Sequence, residues 1–557
     1  MPHLAQERRR PAIRRSGRRT RASGWRAIAA ACSLLLAGAS EAQTSGAESR
    51  IDAGAILLVR NALTAIGGEG AIARAGGLVL EGSGHVDLDV RLQGMRPDRS
   101  EREPLIERFA VDATGEQIAY ESRTMVNSDA EEWIRYAVDG PDLLIMDRLD
   151  RRVFRDAGGG GQEMRRRYTR AVPHLLLEEA LRDSGSLRSV ERSGARQSVR
   201  FSLGDEPELL LFFESGSGRL TGFEYQLDMP LTGDTPVRWT FGPYRPIKGI
   251  GHYPEGHTVE LAGRTLRQVH YDRVAVGSAG AELFSTPEGL TIPPPRPPRA
   301  ATADSTPAPP SAAPRSDVRT IAYGVFLVPN VRPGFHVLFV EFTQFVLVVD
   351  APAGWHELHQ VPAADFVDGA SSSSVGERLL ETVRATVPDK PVRYAALTHH
   401  HSDHAGGVRP FVAAGATILG TEATHHVVQR AVRAPYTLGQ DALSQRDAPL
   451  QFELVDGERV IRDDRMEVRL IDVGPNPHAE GMLAAWLPRQ RILYVSDLFE
   501  PRSPAFFPSR ARVPVMRWFV EWLDRSGLDP RTIYAIHGSG RVTEEQLALI
   551  RALPPEH

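Results

Sequence analysis

Residues 292–317, IPPPRPPRAATADSTPAPPSAAPRSD, set the first constraint on what this chain can fold into. Proline lacks a backbone donor, and the Ala and Ser around it offer nothing to pack. The stretch therefore reads as a semi-extended linker. It separates two globular parts, 48–290 and 318–557, each about 240 residues long and so of ordinary domain size.

The beginning of the chain has a different character. MPHLAQERRRPAIRRSGRRTRASGWR is followed by the apolar run AIAAACSLLLAGAS and then EAQT. A basic region, a short apolar run and small residues at Ser40 and Ala42 have the form of a secretory signal peptide over 1–42. The run is shorter than the ~20 residues needed to span a bilayer, so the mature chain is expected to have no transmembrane segment. The expected location is the periplasm or the exterior. The alternative is a basic disordered or amphipathic arm. The paired arginines at 14–15 and 18–19 leave the export route open between the general and the twin-arginine systems.

Charge and cysteine content exclude several function classes. Residues 1–42 hold nine Arg and two Glu, a net of +7, and the whole chain carries -4, which leaves -11 for the remainder. An acidic body argues against nucleic acid as a partner. The single cysteine, Cys32, lies in the signal-like stretch. The mature chain then has no thiol, so disulfides, cysteine-ligated metals and cysteine nucleophiles are ruled out. Any metal must be held by histidine and carboxylate.

The first part opens with a helix-like stretch, AGAILLVRNALTAI, ended by Gly67-Gly68. Short apolar or alternating runs follow (GLVLEGSGHVDLDVRL, SVRFSLG, ELLLFFES), which predict a mainly antiparallel β domain. Ala262-Gly263 sits between two strand-like runs and predicts a hairpin. GGGG at 158–161 has no following GK[ST], so it is expected to be a loop and not a phosphate cradle. The GG-terminated opening helix and the closing pattern YPEGHTVELAGRTLRQVHYDRVAV...ELFSTPEG resemble the LolA-like lipoprotein-localisation half-barrels. That resemblance implies an accessory domain with an apolar cavity for a lipid or hydrophobic group. The alternative is a sheet that serves only as a docking platform.

The second part alternates strand and helix signals. GVFLVP, HVLFVEF and FVLVVD are consecutive strand candidates, and Ser374 with Glu377 predicts a capping box before ERLLETVRATV. Pro388 stops that helix and VRYAAL follows as a strand, an α/β pattern with mixed sheets.

Directly after VRYAAL stands THHHSDHAGG. It could be a solvated polar loop, an adventitious metal-binding histidine tract, or a catalytic metal site at a strand end. Imidazole and carboxylate suit zinc and similar borderline ions. In an extended or tightly turning loop His399 and His401 can address one metal, and Asp403 and His404 a second. One loop cannot complete two coordination shells. Further candidates each follow a strand-like run: His478 in VRLIDVGPNPH, Asp497 in RILYVSD and His537 in TIYAIHGSG. His425-His426 and the pair His356, His359 lack any completing set.

This ordered set resembles the metallo-β-lactamase fold superfamily over 318–557. The resemblance implies an αββα sandwich and two divalent ions, zinc foremost, with iron or manganese as alternatives. By resemblance His399, His401 and His478 hold one ion, and Asp403, His404 and His537 the other. Asp497 bridges them, and Asp350 in FVLVVDAPAG corresponds to the family's first motif and orients the metal loop as an acceptor. His400 falls at a non-ligand position. The implied activity is hydrolysis of an ester, lactone, thioester or related bond in a small-molecule substrate. Hydroxide generated at the ion pair is the attacking group, and Asp403 is the catalytic carboxylate. The alternatives are a mononuclear iron dioxygenase of the same fold, or a periplasmic protein that binds a lipid or hydrophobic ligand and carries an accessory metal domain.

Overall fold

The computed structural model describes residues 52–90, Arg96, 102–290, 318–353 and 371–554, apart from short gaps within these ranges. The signal-like stretch 1–42, the linker 292–317 and the histidines at 356 and 359 lie outside the described residues.

The helix Ala53–Ile66 starts where the Asp52 carboxylate accepts the Ala55 amide at 2.9 Å, satisfying one of the unpaired donors of its first turn. Its buried residues Ala55, Val59, Ala62, Leu63 and Ile66 recur at three- and four-residue spacing and enter one apolar cluster. Gly67 ends the helix with φ 141°, and a Cβ there would lie 1.9 Å from the Ile250 carbonyl oxygen, so only glycine fits. Ala53–Arg74 is apolar and long enough to cross a membrane by length and composition alone. Positive-φ glycines at 67, 68 and 70 divide it, and its apolar face is packed inside the protein.

Thirteen of the fifteen described strands between Gly77 and Val276 form one sheet in which every pair is antiparallel, while Tyr244–Ile247 and Gly251–Pro254 pair only with each other. The first strand, Gly77–Asp87, lies inside the sheet between Arg102–Asp112 and Arg264–Val276. From it one meander runs outward to the edge strand Arg152–Asp156. A second comes inward from the opposite edge strand, Arg188–Ser193, and ends on Arg264–Val276. The hairpin at Ala262-Gly263 forms, with φ 51° and 78° at the two turn residues. Part of the 158–161 expectation is corrected, because Gly160 and Gly161 open the helix Gly160–Arg170.

The C-terminal part holds two mixed sheets. In the first, Arg319–Ala322, Val325–Arg332, Phe335–Glu341 and Val346–Val349 pair antiparallel, and Val392–Ala396, Thr417–Gly420 and Gln451–Leu454 continue in parallel. The second has six strands, from Glu458–Arg462 to Arg541–Val542. Val346–Val349 and Leu483–Leu487 are buried at every residue, which explains their unbroken apolar runs. Both sheets contribute to one cluster, with Phe339 and Val348 from the first and Val468 and Ala485 from the second. Helices Ser374–Thr386 and Glu422–Arg433 pack into that cluster, while Val513–Ser526 and Glu544–Ala552 pack with Leu493, Val495 and Ile533 in another.

The capping box expected at Ser374 and Glu377 does not form. The helix begins at Ser374 without a side-chain cap. Ser373 Oγ donates instead to Asp441 at 2.7 Å, and Ser374 Oγ accepts the Ser371 amide at 2.9 Å. A tertiary partner has taken the Ser373 hydroxyl, and a competing local bond has taken that of Ser374.

One turn of the N-terminal sheet enters the C-terminal core. Strands Leu220–Met229 and Gly233–Phe241 are joined through Pro230, Leu231 and Thr232. Leu231 has φ 68°, a conformation costing a branched residue about 1–2 kcal/mol. Its side chain is fully buried in the C-terminal cluster, and burying a leucine recovers about 1.5–3 kcal/mol. The burial outweighs the strain.

Candidate metal centre

The strand Val392–Ala396 delivers the chain to a tight turn followed by the short helix Ser402–Ala405. His399, His401, Asp403 and His404 are all buried there. The other candidates arrive on three separate segments. His478 follows the strand Glu467–Asp472, Asp497 follows Ile492–Tyr494, and His537 follows Thr532–Tyr534.

These seven side chains meet in three overlapping groups: His399, His401 and His478; His399, His404 and Asp497; and Asp403, His404 and His537. Ligand atoms within each group lie within 4.8 Å of one another. His399 Nε2 is 3.3 Å from His478 Nε2, and His478 Nε2 is 3.2 Å from Asp497 Oδ2. The other oxygen, Asp497 Oδ1, is 3.0 Å from His404 Nε2 and 3.1 Å from His537 Nε2. Asp403 Oδ2 stands 3.5 Å from His404 Nε2 and 3.6 Å from His537 Nε2. Asp497 thus turns one oxygen to each half of the cluster.

This donor set could hold divalent ions. Zinc–nitrogen bonds of about 2.0–2.1 Å place tetrahedral ligand atoms about 3.3 Å apart, the spacing found here. His404 Nε2 and Asp497 Oδ1 are both buried, and neither makes a hydrogen bond despite their separation of 3.0 Å. Orphaned buried polar atoms cost about 1–3 kcal/mol each, and a shared cation removes that penalty.

The electrostatics lean the same way. Burial works against a charge on His404, but the carboxylates of Asp497 and Asp403 overcome it and hold the ring well above its ordinary range. Asp403 and Asp497 are buried too, yet neighbouring His404 and His537 keep both well below the usual carboxylate range. His399 is pushed well down by burial and then by its histidine neighbours. The two carboxylates thus favour positive charge in the pocket, while burial discourages His399 and His478 from supplying it.

Asp350, expected as an orienting acceptor, lies beneath the cluster with φ 72° and no exposure. It accepts the Thr398 amide at 2.7 Å and the Thr398 hydroxyl at 3.0 Å. Two hydroxyls that the sequence did not single out complete this layer. Thr398 Oγ1 is 3.1 Å from His399 Nδ1, and Ser496 Oγ is 3.2 Å from His404 Nδ1 and donates to Asp350 at 3.2 Å. Each immediately precedes a ligand candidate, the only signal that could have marked it. Asn476 Oδ1 accepts the amides of His478 and Ala479 at 2.9 and 3.1 Å and so shapes the turn that presents His478. Phe335 meets the His537 ring edge-on at 4.3 Å.

The remaining histidines stay outside. His400 is buried beside His401 but belongs to none of the three groups. His426 pairs with Glu422 at 3.2 Å on an exposed helix face, and His425 lies against Phe452.

Residues 367–537 match the family model described as Metallo-beta-lactamase superfamily, so this stretch carries a domain of that superfamily. No curated protein sequence matches the chain. Among solved structures, the chain is similar to a metallo-beta-lactamase from Pontibacter korlensis, at 14% identity over 42% of this chain and 99% of that one, with a TM-score of 0.30. The metallo-beta-lactamase FIM-1 from Pseudomonas aeruginosa, in its mono-zinc form, is 18% identical over 42% of this chain and 92% of its own, with a TM-score of 0.30. A metallo-beta-lactamase from Hirschia baltica is 16% identical over 42% and 95%, with a TM-score of 0.29.

Proposed function

We propose that this chain is an exported, metal-dependent hydrolase with a two-ion centre in an αββα sandwich formed by the C-terminal part. The observation that carries the proposal is the placement of Asp497, whose two oxygens face two histidine groups at 3.0–3.2 Å. His399, His401, His478 and Asp497 Oδ2 would hold one ion. Asp403, His404, His537 and Asp497 Oδ1 would hold the other.

Two bound divalent ions, zinc by the chemistry of the donors, would supply the Lewis acidity that makes water nucleophilic near neutral pH and polarises the oxygen of the scissile bond. The chain's own residues do the rest. Asp403 presents Oδ2 to the same space as His404 and His537, where it orients the attacking water and takes up its proton. Asp350, Thr398 and Ser496 fix the far nitrogens of His399 and His404, which keeps their Nε2 atoms aimed inward. Burial of every member except the partly exposed His537 limits bulk water and strengthens each interaction. The substrate class is a small ester, lactone, thioester or related electrophile. The N-terminal sheet is an accessory element, for which the LolA-like resemblance suggests a hydrophobic ligand. Export to the periplasm or beyond rests on the form of residues 1–42.

The test starts with protein purified without added metal, whose metal content is measured. About two zinc ions per chain are expected; a single iron would favour the dioxygenase. Turnover of an ester, lactone, thioester and β-lactam panel should vanish with chelator and return with zinc. Asp403→Ala should abolish turnover and leave the circular dichroism spectrum unchanged. Chelator-insensitive turnover, or wild-type rates from Asp403→Ala, would overturn the proposal.

A further inference from the structure

The N-terminal sheet touches several of the segments that carry the candidate ligands. The most intimate contact is at the turn Pro230–Thr232. Gly406, two residues after His404, packs against it so closely that a Cβ there would come within 2.8 Å of Pro230 Cβ and 2.6 Å of Ala353 Cβ. Leu231 follows with its side chain in the C-terminal core and its backbone in a conformation suited to glycine. Nothing within a hairpin calls for leucine at such a position, so the residue makes sense only through what it anchors.

Carboxylates flank the turn and extend its grip. Asp228 accepts the Ser372 amide at 2.7 Å and the Ser372 hydroxyl at 2.8 Å, just ahead of the helix Ser374–Thr386. In that helix Gly376 lies directly on the Gly407 carbonyl oxygen. Asp234 accepts the amides of Thr437 and Leu438 at 2.8 and 3.1 Å, and its own amide donates to Pro435 at 2.7 Å. Two lesser contacts reach the other ligand segments. Arg96 pairs with Glu480, two residues beyond His478, at 3.1 Å. Asp150 accepts the Arg510 amide at 2.9 Å, and nearby Arg512 pairs with Glu500, three residues beyond Asp497.

We infer that the turn Pro230–Thr232, with Asp228 and Asp234 at its base, is a positioning element of the metal centre, holding the loop 399–407 in its ligand-presenting arrangement while Asp234 tethers the segment 435–438. It presses on the backbone just behind His404, and Asp228 secures the helix start that leans on Gly407. The inference rests on the metal-centre reading for its functional meaning, but the mechanical coupling stands on these contacts alone. A turn serving only to hold two halves together would leave the metal loop's own mobility unchanged.

The deciding experiment is hydrogen exchange on the full chain after chelator treatment, comparing wild type with Leu231→Gly and Asp228→Ala. Glycine suits the backbone at position 231, so Leu231→Gly removes the anchor without harming the hairpin. Both variants should raise exchange about tenfold or more at 402–408, and Asp228→Ala also at 371–376, while Val337–Val340 stays protected as in wild type. Leu231→Met should restore the wild-type pattern. In a zinc competition titration the variants should bind about tenfold more weakly, as expected when groups supporting the ligands are lost. Unchanged exchange at 402–408 in Leu231→Gly, or a rise at 337–340 equal to that at 402–408, would overturn the inference. If wild-type protein bound no zinc, the metal reading would fail while exchange still judged the turn.

Discussion

Asp350 Oδ2 lies 3.3 Å from His404 Nδ1, on the opposite side of the ring from the Nε2 that meets Asp497 at 3.0 Å. A carboxylate behind a ligand imidazole fixes its tautomer and orientation, and losing such a partner typically costs 10- to 100-fold in metal affinity, by the order of magnitude seen at comparable sites. Asp350→Asn keeps the shape and tolerates the positive φ but removes the charge. It is expected to weaken zinc binding by about one to two orders of magnitude in a chelator competition, with the fold retained. Wild-type affinity would mean that Asp350 serves only the Thr398 turn.

A second prediction concerns acid stability. Arg409 grips Asp441 through two bonds, Nε to Oδ2 at 2.6 Å and Nη2 to Oδ1 at 3.0 Å, with both residues buried. Burial raises the Asp441 carboxyl, but hydrogen bonds from Arg409, Ser373 and Ser444 outweigh it and bring it down to about 2 from an ordinary 3.8. Because the folded value lies below the unfolded one, the stabilisation is complete above pH 4 and fades as pH falls towards 2. It amounts to about 2 kcal/mol. Asp441→Asn leaves Arg409 buried without its counter-charge and should lose about 3–5 kcal/mol at neutral pH. Urea unfolding at pH 6 and pH 2.5 checks the sign, since the gap between wild type and variant must narrow in acid.

Gly376→Ala sets two effects against each other. Alanine in a helix interior gains about 1 kcal/mol over glycine. Its Cβ would stand 2.2 Å from the Gly407 carbonyl oxygen, a backbone atom that can yield only if the metal loop moves. Overpacking of this kind costs about 1–3 kcal/mol or more, so the steric effect wins. The variant should melt at a lower temperature than wild type in a thermal scan. An unchanged or higher melting temperature would show that the helix and the metal loop are free to part.

The sequence made the candidate ligands legible for a physical reason. The candidates lie on segments that follow apolar runs, and buried strands leave their polar residues at or beyond the ends, as with His399 after Val392–Ala396 and Asp497 after Ile492–Tyr494. Thr398 and Ser496 were not legible, because a hydroxyl beside a ligand looks like any other strand-end residue until the fold brings Asp350 beneath it. The capping box at Ser374 misled because the N-cap position falls one residue earlier, at Ser373, whose hydroxyl is claimed by Asp441, 68 residues further on. Leu231 was invisible for the same reason. Its burial depends on a core assembled from residues beyond 324.

The placement of Gly77–Asp87 between its two neighbours limits how the protein can be dissected. Its partner on one side, Arg264–Val276, is the last strand of the sheet to leave the ribosome. Any fragment that stops short of Val276 would expose a long row of unpaired amides and carbonyls along Gly77–Asp87, an invitation to edge-to-edge aggregation. The N-terminal sheet is therefore indivisible, and a soluble excision must carry the chain through at least Val276 before it is cut.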